Sequence, residues 1–119
     1  MVETVAFITT ETGDDLIVSF AVCPTDDPTE VESLTLLRTP KYELFLEDWE
    51  RGVKVSFELD DEGLLEELFF DPPAATVRLK TQSKTYELDV RQVDPEDLIA
   101  MCEALRKMNF DKRVQLSGV

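Results

Sequence analysis

Short apolar runs separated by polar turns dominate the first half of the chain and predict β-strands. Residues 4–10 and 16–22 are two such runs, and the five residues between them include Gly13, so we expect a β-hairpin. Both faces of the second run are apolar, which predicts a strand that is covered on both sides. Residues 23–30 contain two prolines and are expected to form a loop.

Four further segments continue this pattern. Residues 33–38 fit a strand, and residues 53–59 show the most regular alternation of apolar and polar side chains. Residues 76–81 and 85–91 alternate on either side of a three-residue turn, which predicts a second hairpin. The acidic stretch at residues 60–63 is expected to form a turn.

Two segments fit both a strand and a helix. Residues 42–51 begin with an alternation, which favours a short strand followed by a turn, but Phe45 and Trp49 are spaced for one helical turn. A strand places both aromatic side chains on one face with Glu47, whereas a helix groups only the aromatic pair. Residues 64–70 fit a short helix or a strand, which the double proline that follows must end.

The last third of the chain contains the clearest helix signal. Asp94 suits the N-cap and Pro95 the first helical position, and acidic residues follow at the positive end of the helix dipole. Apolar side chains then recur at three- and four-residue spacing and form one stripe: Leu98, Met101, Cys102, Leu105 and Met108. The helix should end near Asn109, with Phe110 folded back onto the core and a short strand over residues 114–116.

Together these elements predict a single domain of the α+β class over residues 1–119. We expect mainly an antiparallel β-sheet of about six to eight short strands, with the amphipathic helix near the C-terminus packed on one face. The length of 119 residues is usual for one domain, and 43% of the residues are hydrophobic, which is enough for a core.

The charge of the chain limits its partners. There are 26 acidic and 12 basic residues, a net charge of −14, so binding to nucleic acid or to anionic lipid is disfavoured and a basic partner is favoured. A general acidic bias of the source organism is the alternative explanation. The sequence contains no run of ~18 apolar residues, so no membrane-spanning helix is predicted. The first residues lack a signal-peptide pattern, and a cytoplasmic location is expected.

Catalysis and cofactor binding find no support in the sequence. Histidine is absent, so the chain lacks the commonest general acid–base and the usual activator of a serine or cysteine nucleophile. None of its four glycines lies in a phosphate-binding motif. Cys23 and Cys102 are far apart and are expected to be buried thiols, although a disulfide between them stays open. We therefore expect a non-enzymatic protein without a cofactor.

Carboxylates cluster at residues 14–15, 26–27, 47–50 and 60–62. Asp and Glu in turns are most often solvated, but carboxylates that converge from separate turns are the ligands Ca²⁺ and Mg²⁺ prefer. A divalent-metal or small-ligand-binding domain is therefore an alternative function. The order of residues of an EF-hand loop does not occur, and no set of metal ligands is assigned.

The leading hypothesis is a non-catalytic protein-interaction domain, comparable to small acidic inhibitor or immunity proteins that bind a basic partner. Trp49 lies between charged residues and is either a core anchor, which is the commoner outcome, or an exposed recognition residue. If it is exposed, an acidic–aromatic patch follows. The expected interaction residues are Tyr42, Phe45, Glu47, Asp48, Trp49, Glu50, Asp60 and Asp61.

Two further expectations concern exposed surfaces. Phe69 and Phe70 form a second candidate for an apolar spot, although packing in the core is favoured for them. If residues 33–38 lie at the edge of the sheet, they could pair across a two-fold axis, so a self-associating homo-oligomer, a homodimer for instance, is the other alternative function.

Overall fold

Eight β-strands make up about half of the computed structural model, which describes residues 2–23, 30–58 and 60–119. The strands are β1 (Val2–Thr12), β2 (Leu16–Cys23), β3 (Glu32–Arg38), β4 (Lys54–Phe57), β5 (Asp60–Asp71), β6 (Thr76–Thr81), β7 (Thr85–Asp89) and β8 (Gln115–Ser117). The helix α1 (Pro95–Met108) lies between β7 and β8, and two 3-10 helices (Pro40–Phe45 and Asp48–Glu50) connect β3 to β4. The predicted α+β class, with one helix near the C-terminus, is confirmed.

The strands form a closed barrel, which corrects the predicted antiparallel sheet. Strands β1 to β7 form a ring in chain order. A short parallel pairing of β1 with β7 closes it, with Val2 opposite Glu87 and Thr4 opposite Asp89. The other pairs in the ring are antiparallel, and β8 adds to β5 in parallel on the edge that β6 leaves free. Alternation shows which side chains face inward, but it carries no information on whether the two end strands meet.

Both predicted hairpins are confirmed, with small shifts at their ends. β1 and β2 pair from Thr12 opposite Leu16, and β6 and β7 pair from Lys80 opposite Thr85. β7 ends at Asp89, a little before the predicted end. The predicted C-terminal strand is β8, shifted by one residue along the chain.

Two predictions fall partly outside the described residues. Cys23 ends β2, whereas residues 24–29 of the predicted loop are not among those described. The predicted strand over residues 53–59 is observed as β4, and Glu58 follows it in the left-handed region with a φ of 58°. Leu59 also lies outside the described residues.

The hypothesis of a free edge at residues 33–38 is wrong. These residues form β3, which lies between β2 and β4, so that Leu34 is opposite Phe20 on one side and Phe57 on the other. Since both edges of β3 are hydrogen-bonded to neighbouring strands, it has no edge left for a second copy of the chain.

The favoured strand within residues 42–51 is also wrong, because this segment forms the two 3-10 helices. Its backbone bonds run three residues back: the Tyr42 N–H donates to the Thr39 carbonyl and the Leu46 N–H to the Glu43 carbonyl, both at 3.1 Å. Pro40 begins the first 3-10 helix, where its fixed φ fits and its missing N–H is not needed.

The predicted turn at residues 60–63 is extended chain instead. These residues begin β5, and residues 64–70 continue it, which decides between helix and strand for that segment. Gly63 has a φ of 89°, and its N–H is accepted by the Asp61 carboxylate at 2.8 Å. The pairing of β4 with β5 is irregular beside it, as at a β-bulge, so an Asp-Gly pattern typical of a turn is accommodated inside a long strand.

Inward-facing side chains of the barrel and the stripe of α1 share one core. The inward residues of β2 are Leu16, Val18, Phe20 and Val22, all buried. On its other face only Ala21 is buried, whereas Ile17 and Ser19 are half-buried, so the predicted cover on both sides is incomplete. The helix packs against β1 and β2 and adds Met101, Ala104, Leu105 and Met108 to this core.

The ends of the helix follow its local sequence as predicted. The Asp94 side chain accepts a hydrogen bond from the Glu96 N–H at 2.9 Å, and Pro95 occupies the first turn. At the other end, the Asn109 side chain bonds both the N–H and the carbonyl of Val114 and so fixes the start of β8. In the part of the chain that the structure describes, no helix is long and apolar enough to cross a membrane.

We expect Leu105→Ala to lower the free energy of unfolding by about 2–5 kcal/mol, because it leaves a cavity in this core. Ile99→Ala is the matched control: Ile99 lies on the exposed side of the same helix, so the change should stay within about 0.5 kcal/mol. Urea unfolding followed by circular dichroism measures both. Equal midpoints for the two variants would contradict this account of the core.

Candidate protein-interaction surface

The largest fully buried side chain is that of an arginine. Arg38 ends β3 and follows Leu34 and Leu36 on the inward-facing side of the strand, and its side chain is 0% exposed. A guanidinium removed from water is costly unless its charge and its N–H groups are matched by partners. The surroundings of Arg38 therefore show which parts of the fold must come together.

All five N–H groups of Arg38 have an acceptor. Nε and Nη2 donate to the two carboxylate oxygens of Glu43 at 2.7 and 2.8 Å. Nη1 and Nη2 donate to the two oxygens of Asp111 at 2.8 and 2.7 Å, and Nη1 also donates to the Met108 carbonyl at 2.8 Å. The Phe110 ring stacks on the guanidinium with its centroid 4.1 Å from Cζ. Phe110 is thus exposed beside Arg38 rather than folded into the core, which corrects that prediction.

These contacts shift the pKa values of the partners in opposite directions. Burial alone lowers the pKa of Arg38, but the hydrogen bonds and charges of Asp111 and Glu43 outweigh burial and raise it above its ordinary range. The hydrogen bonds from Arg38 hold the pKa of Asp111 well below its usual range, against the opposing effect of burial and with further help from Arg113. Both groups therefore stay charged at neutral pH.

The ion pairs continue from Asp111 to the second 3-10 helix. The Arg113 Nε donates to the Asp111 carboxylate. Its Nη1 donates to the Asp48 carbonyl at 2.9 Å and its Nη2 to the Asp48 carboxylate at 2.6 Å. We call this alternating chain of charges the Arg38 network; its members are Glu43, Arg38, Asp111, Arg113 and Asp48. It ties residues 40–51 to the end of the barrel and to the turn after α1.

Tied down in this way, residues 40–51 present their large apolar side chains to solvent. Tyr42 is 58% exposed, Leu44 81%, Phe45 84% and Trp49 76%. Isolated exposed apolar residues are common on protein surfaces, but four within one short segment make it a candidate interaction surface. We call this segment the 40–51 surface.

Six of the predicted interaction residues lie in the 40–51 surface: Tyr42, Phe45, Glu47, Asp48, Trp49 and Glu50. The core position that was favoured for Trp49 is wrong. Glu50 is half-buried, whereas Glu47 and Asp48 are exposed beside the aromatic side chains. The aromatic and acidic residues expected for an exposed Trp49 are thus exposed within one segment, on 3-10 helices rather than on a strand.

The two remaining predicted residues lie elsewhere. Asp60 and Asp61 pair with Phe57 and Ser56, at the end of β4 that is remote from the 40–51 surface, which leads into β4 at Lys54. They were predicted as interaction residues in a turn at residues 60–63, but this segment is the start of β5.

Sequence reasoning missed one member of this surface and two of its neighbours. The member is Leu44, which is almost fully exposed. Asp14 and Asp15, in the turn between β1 and β2, contact the start of the segment: the Lys41 Nζ is 3.1 Å from the Asp14 carboxylate, and the Thr39 hydroxyl donates to Asp15 at 2.7 Å. No local signal in the sequence connects these residues.

The pair Phe69–Phe70 is divided by strand alternation. Phe70 is buried, as favoured, whereas Phe69 is exposed on the outer face of β5. Phe69 borders a shallow groove of about 490 Å³ whose lining includes Arg78 and Glu87, and these two side chains lie 3.7 Å apart. Charges of both signs line this groove, and only one large apolar side chain is exposed in it, so it is the weaker candidate for a protein interface.

The remaining candidate groups are the carboxylates, as metal ligands, and the two cysteine thiols. Among residues 2–23, 30–58 and 60–119, no group of three or more His, Cys, Asp or Glu side chains is placed to hold a metal ion. The cluster at residues 26–27 lies outside these ranges. Cys23 and Cys102 are free and half-buried, and burial raises the pKa of the Cys102 thiol.

Comparison with known proteins adds no relative: no protein-family model matches the chain, and no significant match is found among curated proteins or solved structures. The 40–51 surface and the charges around it are therefore the features that bear on function.

We expect Asp111→Asn to lower the free energy of unfolding at neutral pH by about 3 kcal/mol, because the buried guanidinium loses a charged partner. The pKa of Asp111 is lower in the folded than in the unfolded chain, so its stabilisation is complete above about pH 3.9 and is lost as the pH falls further. The wild type should thus lose more stability in acid than the variant. Urea unfolding between about pH 3 and pH 7 tests this.

Asp60→Asn is the control for this comparison, since it removes the same charge from an exposed strand end. It should leave the stability at neutral pH nearly unchanged. If Asp111→Asn behaved like Asp60→Asn, the Arg38 network would not contribute to stability.

Proposed function

We propose that the protein is a non-catalytic interaction domain that binds a basic protein through the 40–51 surface. The observation that supports the proposal best is the exposure of Tyr42, Leu44, Phe45 and Trp49. Their segment is held by the buried Arg38–Glu43 ion pair and by the more exposed Arg113–Asp48 pair. Aromatic side chains, Trp and Tyr above all, dominate the binding energy of protein interfaces.

Anchoring of the segment favours tight binding. A flexible loop loses conformational entropy when a partner orders it, whereas a segment already fixed in its bound form avoids most of that cost. Glu43 and Asp48 hold the 40–51 surface at two points, one in each 3-10 helix. The apolar side chains between and beside these points are therefore presented in a defined arrangement.

The charges around the surface favour a basic partner. Glu47 and Asp48 are exposed beside the aromatic residues, and the chain as a whole carries a net charge of −14. Two neighbouring cations, Lys41 and Arg113, are already paired with Asp14 and Asp48. A field of this sign speeds the encounter with a basic protein and repels an acidic one.

The cytoplasm is the proposed location. It is supported by Cys23 and Cys102, which are both free thiols, as is usual for proteins of a reducing compartment.

The test is capture of a partner from lysate of the source cells, followed by measurement of its dissociation constant with purified components. We expect a basic protein whose binding weakens as salt is raised from about 0.1 to 1 M, where screening shortens from ~10 to ~3 Å. Trp49→Ala should raise the dissociation constant about 30-fold, the equivalent of ~2 kcal/mol.

Phe69→Ala is the matched control, because it truncates an exposed aromatic side chain away from the 40–51 surface. It should leave the dissociation constant unchanged. Equal effects of Trp49→Ala and Phe69→Ala would refute this surface as the binding site. An acidic partner, or recovery of this chain alone, would refute the proposed partner class and favour self-association in the second case.

A further inference from the structure

We propose that Arg113 is the positioning residue of the 40–51 surface: it clamps the second 3-10 helix and so fixes Trp49 in its exposed position. The importance of this clamp for partner binding rests on the proposed function. The clamp itself can be measured without a partner.

The second 3-10 helix has few bonds within its own segment, among them two from the Arg51 guanidinium to the Leu46 carbonyl at 3.2 and 3.3 Å. It is three residues long, and among the described residues no side chain caps its N-terminus. Its backbone bonds are Glu50 N–H to the Glu47 carbonyl at 2.9 Å and Arg51 N–H to the Asp48 carbonyl at 3.2 Å. So short a 3-10 helix is marginal in water, and it needs a contact from elsewhere in the fold to persist.

Arg113 supplies that contact from 65 residues away in the sequence. It bonds both the carbonyl and the carboxylate of Asp48, the residue just before Trp49. A planar guanidinium directs these two donors at fixed angles, so the bonds restrain the backbone as well as the side chain. The position of the indole therefore depends on Arg113.

The base of the clamp is itself fixed. Asp111 accepts hydrogen bonds from both Arg38 and Arg113, and Arg38 is wholly buried. On the other side, the next residue, Val114, is buried and is bonded through its backbone to the Asn109 side chain. Arg113 thus extends from a well-anchored turn after α1 and bonds to the weakly stabilised second 3-10 helix.

The Trp49 ring is not closely packed on one side, so hydrogen bonds to its segment are needed to hold it in position. An open groove of about 310 Å³ is lined by Trp49 and Arg113 together with Leu64 and Leu65 of β5. Since this side of Trp49 faces open space, close packing cannot hold the ring there. The bonds from Arg113 to Asp48 then supply a restraint from outside the segment, in addition to the Arg51 bonds within it.

The test is the fluorescence anisotropy decay of Trp49, which is the only tryptophan in the chain. In Arg113→Gln we expect the nanosecond component from local motion to gain about twofold in amplitude. Arg113→Lys should restore only part of the rigidity, because an ammonium group cannot reproduce the two directed bonds while also pairing with Asp111.

Arg106→Gln is the matched control, since it removes the same charge from the exposed side of α1, and its decay should equal that of the wild type. Circular dichroism and urea unfolding show whether each variant is folded. If Arg113→Gln and Arg106→Gln gave the same anisotropy decay as folded proteins, the clamp would be overturned.

A second measurement separates the clamp from the proposed function. With the purified protein captured by the wild type, Arg113→Gln should raise the dissociation constant about three- to tenfold, because the partner must then order Trp49 itself. Increased motion of Trp49 without any captured partner would support the clamp and count against the proposed function. Increased motion with an unchanged dissociation constant would overturn the role of the clamp in binding.

Discussion

The need to satisfy a buried guanidinium controls how the parts of this protein meet. Arg38 lies at the inner end of β3, where water cannot reach its N–H groups. Its acceptors come from the first 3-10 helix and from the residues after α1, which are far from each other in sequence. Because removing either carboxylate would leave two buried N–H groups of the guanidinium without an acceptor, the connection after β3 and the end of the helix must converge there.

The two carboxylates that meet at Arg38 also influence the charges at the protein surface. Two carboxylates around one guanidinium leave a negative surplus, and Arg113 offsets it by bonding Asp111 on one side and Asp48 on the other. The charges therefore alternate from the core outward to the second 3-10 helix. The Arg38 network thus connects the core to the segment that carries the exposed apolar side chains.

The barrel stabilises the fold, whereas the 40–51 surface carries the exposed aromatic residues. Closure of the strands and the stripe of α1 bury the apolar side chains that make the fold stable. The connection between β3 and β4 contributes little to that core and carries exposed aromatic residues instead. Recognition residues on a connection held by a rigid scaffold are a common arrangement in binding proteins. The proposed function follows from this division and from the sign of the charge.

The sequence by itself determined the elements whose causes are local. Asp94, Pro95 and the apolar stripe specify α1, because capping and helical periodicity act within a few residues, and alternation specifies the faces of most strands. Barrel closure, the exposure of Trp49 and the 3-10 form of residues 40–51 were decided only by the tertiary structure. Their causes are contacts between distant residues, β1 with β7 and Arg38 with Asp111, which leave no local pattern in the chain.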